Sequence, residues 1–290
     1  MRLSRRLDKL RAEAGHADSR VNSGGTPEFR GETLRDRLAR IQTRQRRHAA
    51  GTAGSAQVPD TATTLGATEL APGLLEVVVD HPLDQPYGQQ PLTGLGAGCP
   101  GIAEAAGLAP SRALLLDTET TGLAGGSGTV AFLVGLGRIQ DQCLRVRQWL
   151  LSGFSGEPLL YERLSAELDG VDGVVTYNGK SFDLPLLRSR ARLNGYRRGF
   201  DPQEHLDLLY PIRRRYRKHW PNCRLITAEH RLLGQERWDD LPGSEAPAVW
   251  LDFLQRGDPR RLVDVLRHNA DDIRALAAIW AALAESTPEA

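Results

Sequence analysis

Apolar positions along this chain recur with a period of two in some stretches and near 3.6 in others, and each change of period marks a change of element. GLLEVVVDHPL (73–83) reads as a strand and is followed by a Gly/Pro-rich stretch to about 110. From 112 the pattern becomes dense. LLLD (114–117) is a strand, and TVAFLVGLGRI (129–139) and QCLRVRQWLL (142–151) are two more, joined by a tight turn at Asp141 and therefore antiparallel. EPLLYERLSAEL (157–168) has helical periodicity, GVVTYNG (173–179) is a strand entering a turn, and SFDLPLLRSRARLNG (181–195) begins another helix. HLDLL (205–209) is a short strand leading into a basic helix near 208–218, with further helices near 224–233 and 245–256. Asp258 and Pro259 suit the N-cap and first position of a final helix running to about 284. Three hairpin strands followed by alternating helices and strands predict an α/β domain with a mixed sheet over 112–290, on which residues 67–111 pack as a small N-terminal extension.

The first fifty residues follow a different plan. Leu3, Leu7, Leu10 and later Leu34, Leu38, Ile41 repeat the spacing i, i+4, i+7 with arginines between, which predicts short amphipathic helices in an otherwise disordered basic tail. Residues 51–66 are small, polar and unpatterned, as in a linker. The formal charge of +1 hides this division, because residues 1–50 carry +7 and the remainder −6. Such a tail can attract nucleic acid or an acidic protein partner, although charge runs are also simply solvated.

With 290 residues, 40% hydrophobic and 25% charged, the chain can bury one sizeable core. No apolar run approaches the ~18 residues that span a bilayer, and the Arg-studded start lacks a secretory h-region, so the expectation is a cytoplasmic protein without membrane contact. Cys99, Cys143 and Cys223 fit neither a disulfide framework nor a zinc site.

Three polar groups interrupt the apolar pattern. In DTET (117–120), Asp117 and Glu119 are two apart on a strand and project from one face, where two anions repel unless a cation lies between them. Mg²⁺ or Mn²⁺ is the usual remedy, being held by carboxylates together with substrate phosphate. A polar strand end in water would look the same. In YNGKSFDLP, Asp183 stands at a helix start, where it either caps or binds. The spacing of Gly173 and Gly179 rules out a triphosphate-binding loop. In RHNADDI, His268 and Asp272 share one helix face beside a stripe of Leu262, Leu266, Ile273, Ala277 and Trp280, with Asp271 nearer solvent. RRRYRK (213–218) surrounds Tyr216 with five cations including Arg213 and Arg214, a pattern that suits phosphate contacts plus one stacked base.

Taken in order, DTETTG, YNGKSFDLP and the late His–Asp pair resemble the motifs of the DnaQ-like, DEDD-type exonucleases of the ribonuclease-H-like fold. The glycine loop LAGGSGTVAFLVGLG with HLDLL, DLPGSE and HNADDI is more specifically similar to the bacterial YprB-type ribonuclease-H-like proteins, over about residues 67–284. The resemblance implies a metal-dependent nuclease that cleaves 3′ to 5′ from single-stranded DNA or RNA ends. Asp117, Glu119, Asp183 and Asp272 would hold two divalent ions about 3.5–4 Å apart. Thr118, Asn178 and Lys180 would join Arg213, Arg214 and Tyr216 in contacting substrate. One departure stands out: the family closes with His-x4-Asp or Tyr-x3-Asp, whereas His268-x3-Asp272 combines the histidine with the tyrosine spacing. If His268 is the general base, activity falls as pH drops through its pKa. The competing readings are a non-catalytic nucleic-acid-binding member of the fold and an adaptor working through its N-terminal helices.

Overall fold

The computed structural model describes residues 60–96, 108–122, 128–196, 200, 202 and 204–285; the basic tail, most of the linker, Cys99 and the glycine-rich stretch 123–127 lie outside them. Among the described residues seven strands form one sheet: β1 (Thr68–Ala71), β2 (Leu74–Pro82), β3 (Ala113–Thr120), β4 (Ala131–Gln140), β5 (Cys143–Leu151), β6 (Gly173–Thr176) and β7 (Glu204–Asp207), in the spatial order β1-β2-β5-β4-β3-β6-β7. Pairing from β1 to β3 is antiparallel, and β6 and β7 join β3 in parallel. The hairpin between β4 and β5 has a two-residue turn, Asp141–Gln142, with both residues at positive φ (50° and 58°), the conformation that matches the twist of the flanking strands. Residues 67–82 thus extend the sheet itself, since β2 pairs with β5 along its whole length.

The helices are α1 (Thr61–Leu65), α2 (Thr93–Gly96), α3 (Glu157–Asp169), α4 (Asp183–Leu193), α5 (Leu209–Tyr216), α6 (Leu225–Ala228), α7 (Ala246–Arg256) and α8 (Leu262–Glu285). On one face of the sheet, Leu114 and Leu116 pack with Leu160 and Leu164 of α3, Leu184 and Leu187 of α4, and Trp250 of α7. Trp250 stacks on Phe132 at 4.8 Å and donates its indole N–H to the Leu151 carbonyl. On the other face, Leu115, Leu144 and Val146 meet Ile273, Leu276, Ile279 and Trp280 of α8. Alternation along β3 therefore sends Leu115 toward α8, and Asp117 follows it on the same face.

Two glycines let α8 come close. A Cβ on Gly135 would lie 2.2 Å from Asn269 Oδ1, and one on Gly137 would lie 2.6 Å from Ile273 Cγ2, so any side chain in these β4 positions would push the helix away. Gly135 is also the cross-strand partner of Asp117, so the same gap admits a polar α8 residue to the strand acid.

Three details differ from the sequence pattern. Residues 61–65, within the stretch read as linker, form the single helical turn α1: Asp60 caps Thr63 N–H at 3.0 Å, Gly66 closes the turn at φ 60°, and Leu65 is the only buried anchor. The final helix starts at Leu262 rather than at Pro259, because the Asp258 carboxylate accepts from Arg260 N–H (3.1 Å) in a turn of its own. The helix expected over 224–233 is α6 followed by a π turn, Glu229–Leu233, ended by Gly234 at φ 60°. Among the described residues no helix is long and apolar enough to cross a membrane.

Candidate metal and nucleic-acid site

Asp117 and Glu119 leave β3 toward α8 just before a register shift between Glu119 and Thr120 breaks the pairing with β4. Asp183 begins α4, and His268 and Asp272 lie one turn apart on α8. The three groups converge. Glu119, His268 and Asp272 each offer a ligand atom within 4.8 Å of the others, with His268 Nε2 3.9 Å from Glu119 Oε1 and 3.8 Å from Asp272 Oδ2. Burial first, and then the charges of Asp272, Asp183 and Glu119, push the Asp117 carboxyl well above the ordinary range. Glu119 is raised in the same way by burial and by Asp272 and Asp183. Asp183 is pushed up to about 6 by burial, against the lowering effect of its hydrogen bond from Thr118.

Three of the four acids have a hydrogen-bonding support. Asn269, fully buried on α8, donates from Nδ2 to Asp117 Oδ2 at 2.9 Å, while its Oδ1 accepts from Gln148 Nε2 at 2.9 Å. Gln148 also donates to the Leu266 carbonyl, which fixes the amide pair against β5. The Thr118 hydroxyl donates to Asp183 Oδ1. Arg237 reaches in from the loop after the π turn and donates to Asp272 Oδ1 (2.6 Å), Glu229 Oε1 (2.9 Å) and Asp240 Oδ2 (3.4 Å). Burial by itself would favour the neutral guanidine, but Asp272 and Glu229 hold Arg237 firmly charged. Asp240 Oδ1 and Oδ2 both lie 2.9 Å from His268 Nδ1. With Nδ1–H donating there, the Nε2 lone pair points between Glu119 and Asp272.

The donor set fits hard divalent cations. Glu119, Asp272 and the His268 imidazole face a common space, Asp117 and Asp183 lie near enough to act on one another's charge, and Arg237 occupies a single oxygen of Asp272. Such mutually repelling oxygens are what Mg²⁺ or Mn²⁺ neutralises, whereas thiolate-seeking metals find no sulfur here.

Two cavities flank the acids. One of about 400 Å³ is lined by Asp117, Thr118, Asn178, Phe182 and Asp183. The other, about 600 Å³, is lined by His268, Asp272, Asp240 and Arg237 together with Leu225, Ile226 and Pro242. Asn178 sits at positive φ (68°) in a turn tied down by buried Asp207, which accepts from Asn178 N–H (2.7 Å), Lys180 N–H (3.1 Å) and Leu209 N–H (3.1 Å). The Lys180 ammonium lies 5.4 Å above the Tyr210 ring. Arg213, Arg214 and Tyr216, on α5, line neither cavity. The Tyr216 ring is stacked at 4.2 Å and 2° on Trp220, which covers one of its faces.

Arg237, Asp240 and Asn269 were not foreseen from the motifs. Asn269 had a signal, because it falls between Leu266 and Ile273 on the buried stripe of α8, where a polar side chain demands a partner. RWDD gave none, since a loop has no period to betray what it covers.

Residues 114–284 match the family profile described as the RNase_H superfamily. The uncharacterized protein YprB of Bacillus subtilis (strain 168) is 33% identical over 211 residues, covering 70% of this chain and 51% of that protein; the chain thus spans about half the length of this curated relative. Among solved structures, the family B DNA polymerase of the archaeon Pyrobaculum calidifontis is similar over 58% of this chain and 24% of its own, with 18% identity and a TM-score of 0.43.

Proposed function

Since the chain belongs to the ribonuclease H superfamily, we propose that it is a metal-dependent nuclease that hydrolyses nucleic-acid phosphodiesters, acting 3′ to 5′ on single-stranded ends. The observation that carries this reading is the approach of Asp117, Glu119, Asp183 and Asp272 from a strand and two helices, close enough for the charge of Asp272 to raise the proton affinity of the other three. Nothing in the packing of a sheet on a helix calls for one buried and three half-buried like charges, and each costs desolvation unless a cation shares it.

The four carboxylates would hold the ions, two Mg²⁺ or Mn²⁺ by this reading. Bound there, divalent ions would polarise the phosphate, ease ionisation of a water and neutralise the leaving oxygen. Asn269 and Thr118 orient Asp117 and Asp183, so the donors are set before substrate arrives. Asp240 fixes the His268 tautomer and leaves Nε2 to accept the proton of the attacking water. Asn178, Phe182 and Thr118 line the cavity on the Asp117 side, where the terminal nucleotide would lie, and Lys180 would meet its phosphate from the adjoining turn. Arg213 and Arg214 would attract the more distant strand. The cytosol is the expected compartment, and the basic tail is an expected contact for a protein partner.

The test uses single-stranded DNA and RNA labelled at either end, with Mg²⁺, Mn²⁺ or chelator, beside Asp117→Asn and Asp272→Asn. A metal-dependent ladder from 5′-labelled strands, absent in both variants, is expected. Equal product from the variants, or none from the natural protein with either metal, refutes the assignment.

A further inference from the structure

The connection from β2 to α2, residues 83–92, precedes the stretch 114–284 that matches the superfamily profile, yet it is anchored beside the acids. Leu83, Tyr87 and Leu92 are buried in the cluster that holds Ile279 and Trp280 of α8. The Gln89 N–H donates to the Leu233 carbonyl at 2.7 Å, and a Cβ on Gly88, at φ 60°, would lie 2.3 Å from that same oxygen. The connection is thus pressed against the end of the π turn. Gln90 Nε2 reaches Glu285 Oε2 of α8 at 3.2 Å.

These contacts fix Tyr87. The residue is 2% exposed, the Arg274 guanidinium lies 4.6 Å from its ring centroid, and its hydroxyl donates to Oε1 of Glu229, the first residue of the π turn, at 2.7 Å. Phenylalanine would pack in the same cluster, so what the hydroxyl adds is its bond to Glu229. The same oxygen also accepts from Arg237 Nε at 2.9 Å and lies 2.8 Å from Arg237 Nη2, the nitrogen that donates to Asp272 Oδ1 at 2.6 Å. Glu229 and Asp272 therefore compete for one donor group. Glu229 Oε2 is buried and has no hydrogen-bond partner among the described residues, so the bonds that hold this carboxylate arrive at Oε1.

We propose that Tyr87 and Glu229 are positioning residues for Asp272: together they hold the Arg237 guanidinium back from it, so that a segment ahead of the superfamily domain sets how strongly the site binds a divalent cation. A cation on Asp272 has to share that carboxylate with Arg237. The more of the guanidinium's charge is met by Glu229, the less of it opposes the incoming ion at Asp272. Tyr87 acts one step further out, by keeping Oε1 where it meets both Nε and Nη2. The inference rests on the nuclease reading above for the ion it assigns to Asp272.

The test reads metal affinity on the folded full chain. Mn²⁺ is titrated into the natural protein, Tyr87→Phe, Glu229→Gln and the double variant well below their thermal midpoints, and the free ion is counted by electron paramagnetic resonance. Glu229→Gln should raise the Kd about tenfold or more, and Tyr87→Phe by a smaller factor. The double variant should bind about as weakly as Glu229→Gln alone, because Tyr87 works only through that carboxylate. A merely structural role would lower the thermal midpoint and leave the Kd of the folded protein where it was. Natural Mn²⁺ affinity in either single variant, or losses that multiply in the double variant, would overturn the positioning role and leave the nuclease reading standing. If the natural protein binds no divalent ion, both fall.

Discussion

Replacing Arg237 by Leu is the sharpest test of how the site's charges are balanced. The Arg237 side chain is 4% exposed and touches three carboxylates, one of them Glu229 at 1% exposure. Leucine fills part of the volume but removes the cation buried among them, so Glu229, Asp240 and Asp272 then face one another and the Asp117–Glu119–Asp183 cluster. Removing one partner of a buried ion pair costs roughly 3–5 kcal/mol, because the charge left behind is uncompensated. For a domain of this length that corresponds to a fall of roughly 6–20 °C in thermal midpoint.

Two features of the structure shape that loss. Glu229 keeps the Tyr87 hydroxyl at 2.7 Å, and burial already raises its affinity for a proton, so it can escape by taking one. A carboxyl whose folded pKa is raised contributes stability that is present at low pH and lost as pH rises through that pKa. The deficit of Arg237→Leu should therefore be larger at pH 8 than at pH 5. Divalent ions should offset part of it, since binding to the folded state alone at about 100 times Kd contributes about 2.7 kcal/mol. Arg237→Lys should fall between, because a single ammonium cannot span three acids. The measurement is thermal unfolding by circular dichroism at both pH values, with chelator and with Mn²⁺. A chelated Arg237→Leu protein melting within about 2 °C of the natural one at pH 8 would refute the charge argument.

Other consequences follow from single contacts. Asn269→Leu removes the donor on Asp117 and should weaken Mn²⁺ binding by about 10–100-fold in calorimetry; unchanged affinity would mean that Asp117 needs no orienting partner. Gly137→Val places carbon 2.6 Å from Ile273 Cγ2 and should cost roughly 1–3 kcal/mol by denaturant unfolding, while a neutral result would show that α8 can shift freely. His205, paired with Thr176 Oγ1 at 2.8 Å, is held down to about 4 by burial, so its contribution is present above pH 6.5 and lost as pH falls toward 4. Midpoint-against-pH curves for the natural protein and His205→Gln should converge over that range; parallel curves would refute the attribution.

The strands and the acids were readable because each depends on near neighbours in sequence. Alternation fixes that Asp117 and Glu119 share a face, and a helical turn fixes that His268 and Asp272 do, whatever surrounds them. What local spacing left out is decided by a partner elsewhere. In the basic run, Ile212, Tyr216 and Trp220 are spaced by four, and that spacing brings one face of the Tyr216 ring onto Trp220. Residues 61–65 looked unpatterned because a five-residue helix with one buried leucine has no period to display. Asp240 and Arg237 depend on a loop returning to α8, a contact between positions about thirty apart that no local spacing encodes. Yet these two residues decide how the motif acids are presented, one setting the tautomer of His268 and the other occupying an oxygen of Asp272. The three motifs thus specify which groups meet, while the loop between α6 and α7 specifies which of their atoms are already hydrogen-bonded. A chain that kept every motif acid but lost Arg237 and Asp240 would carry the same signature around a differently charged centre.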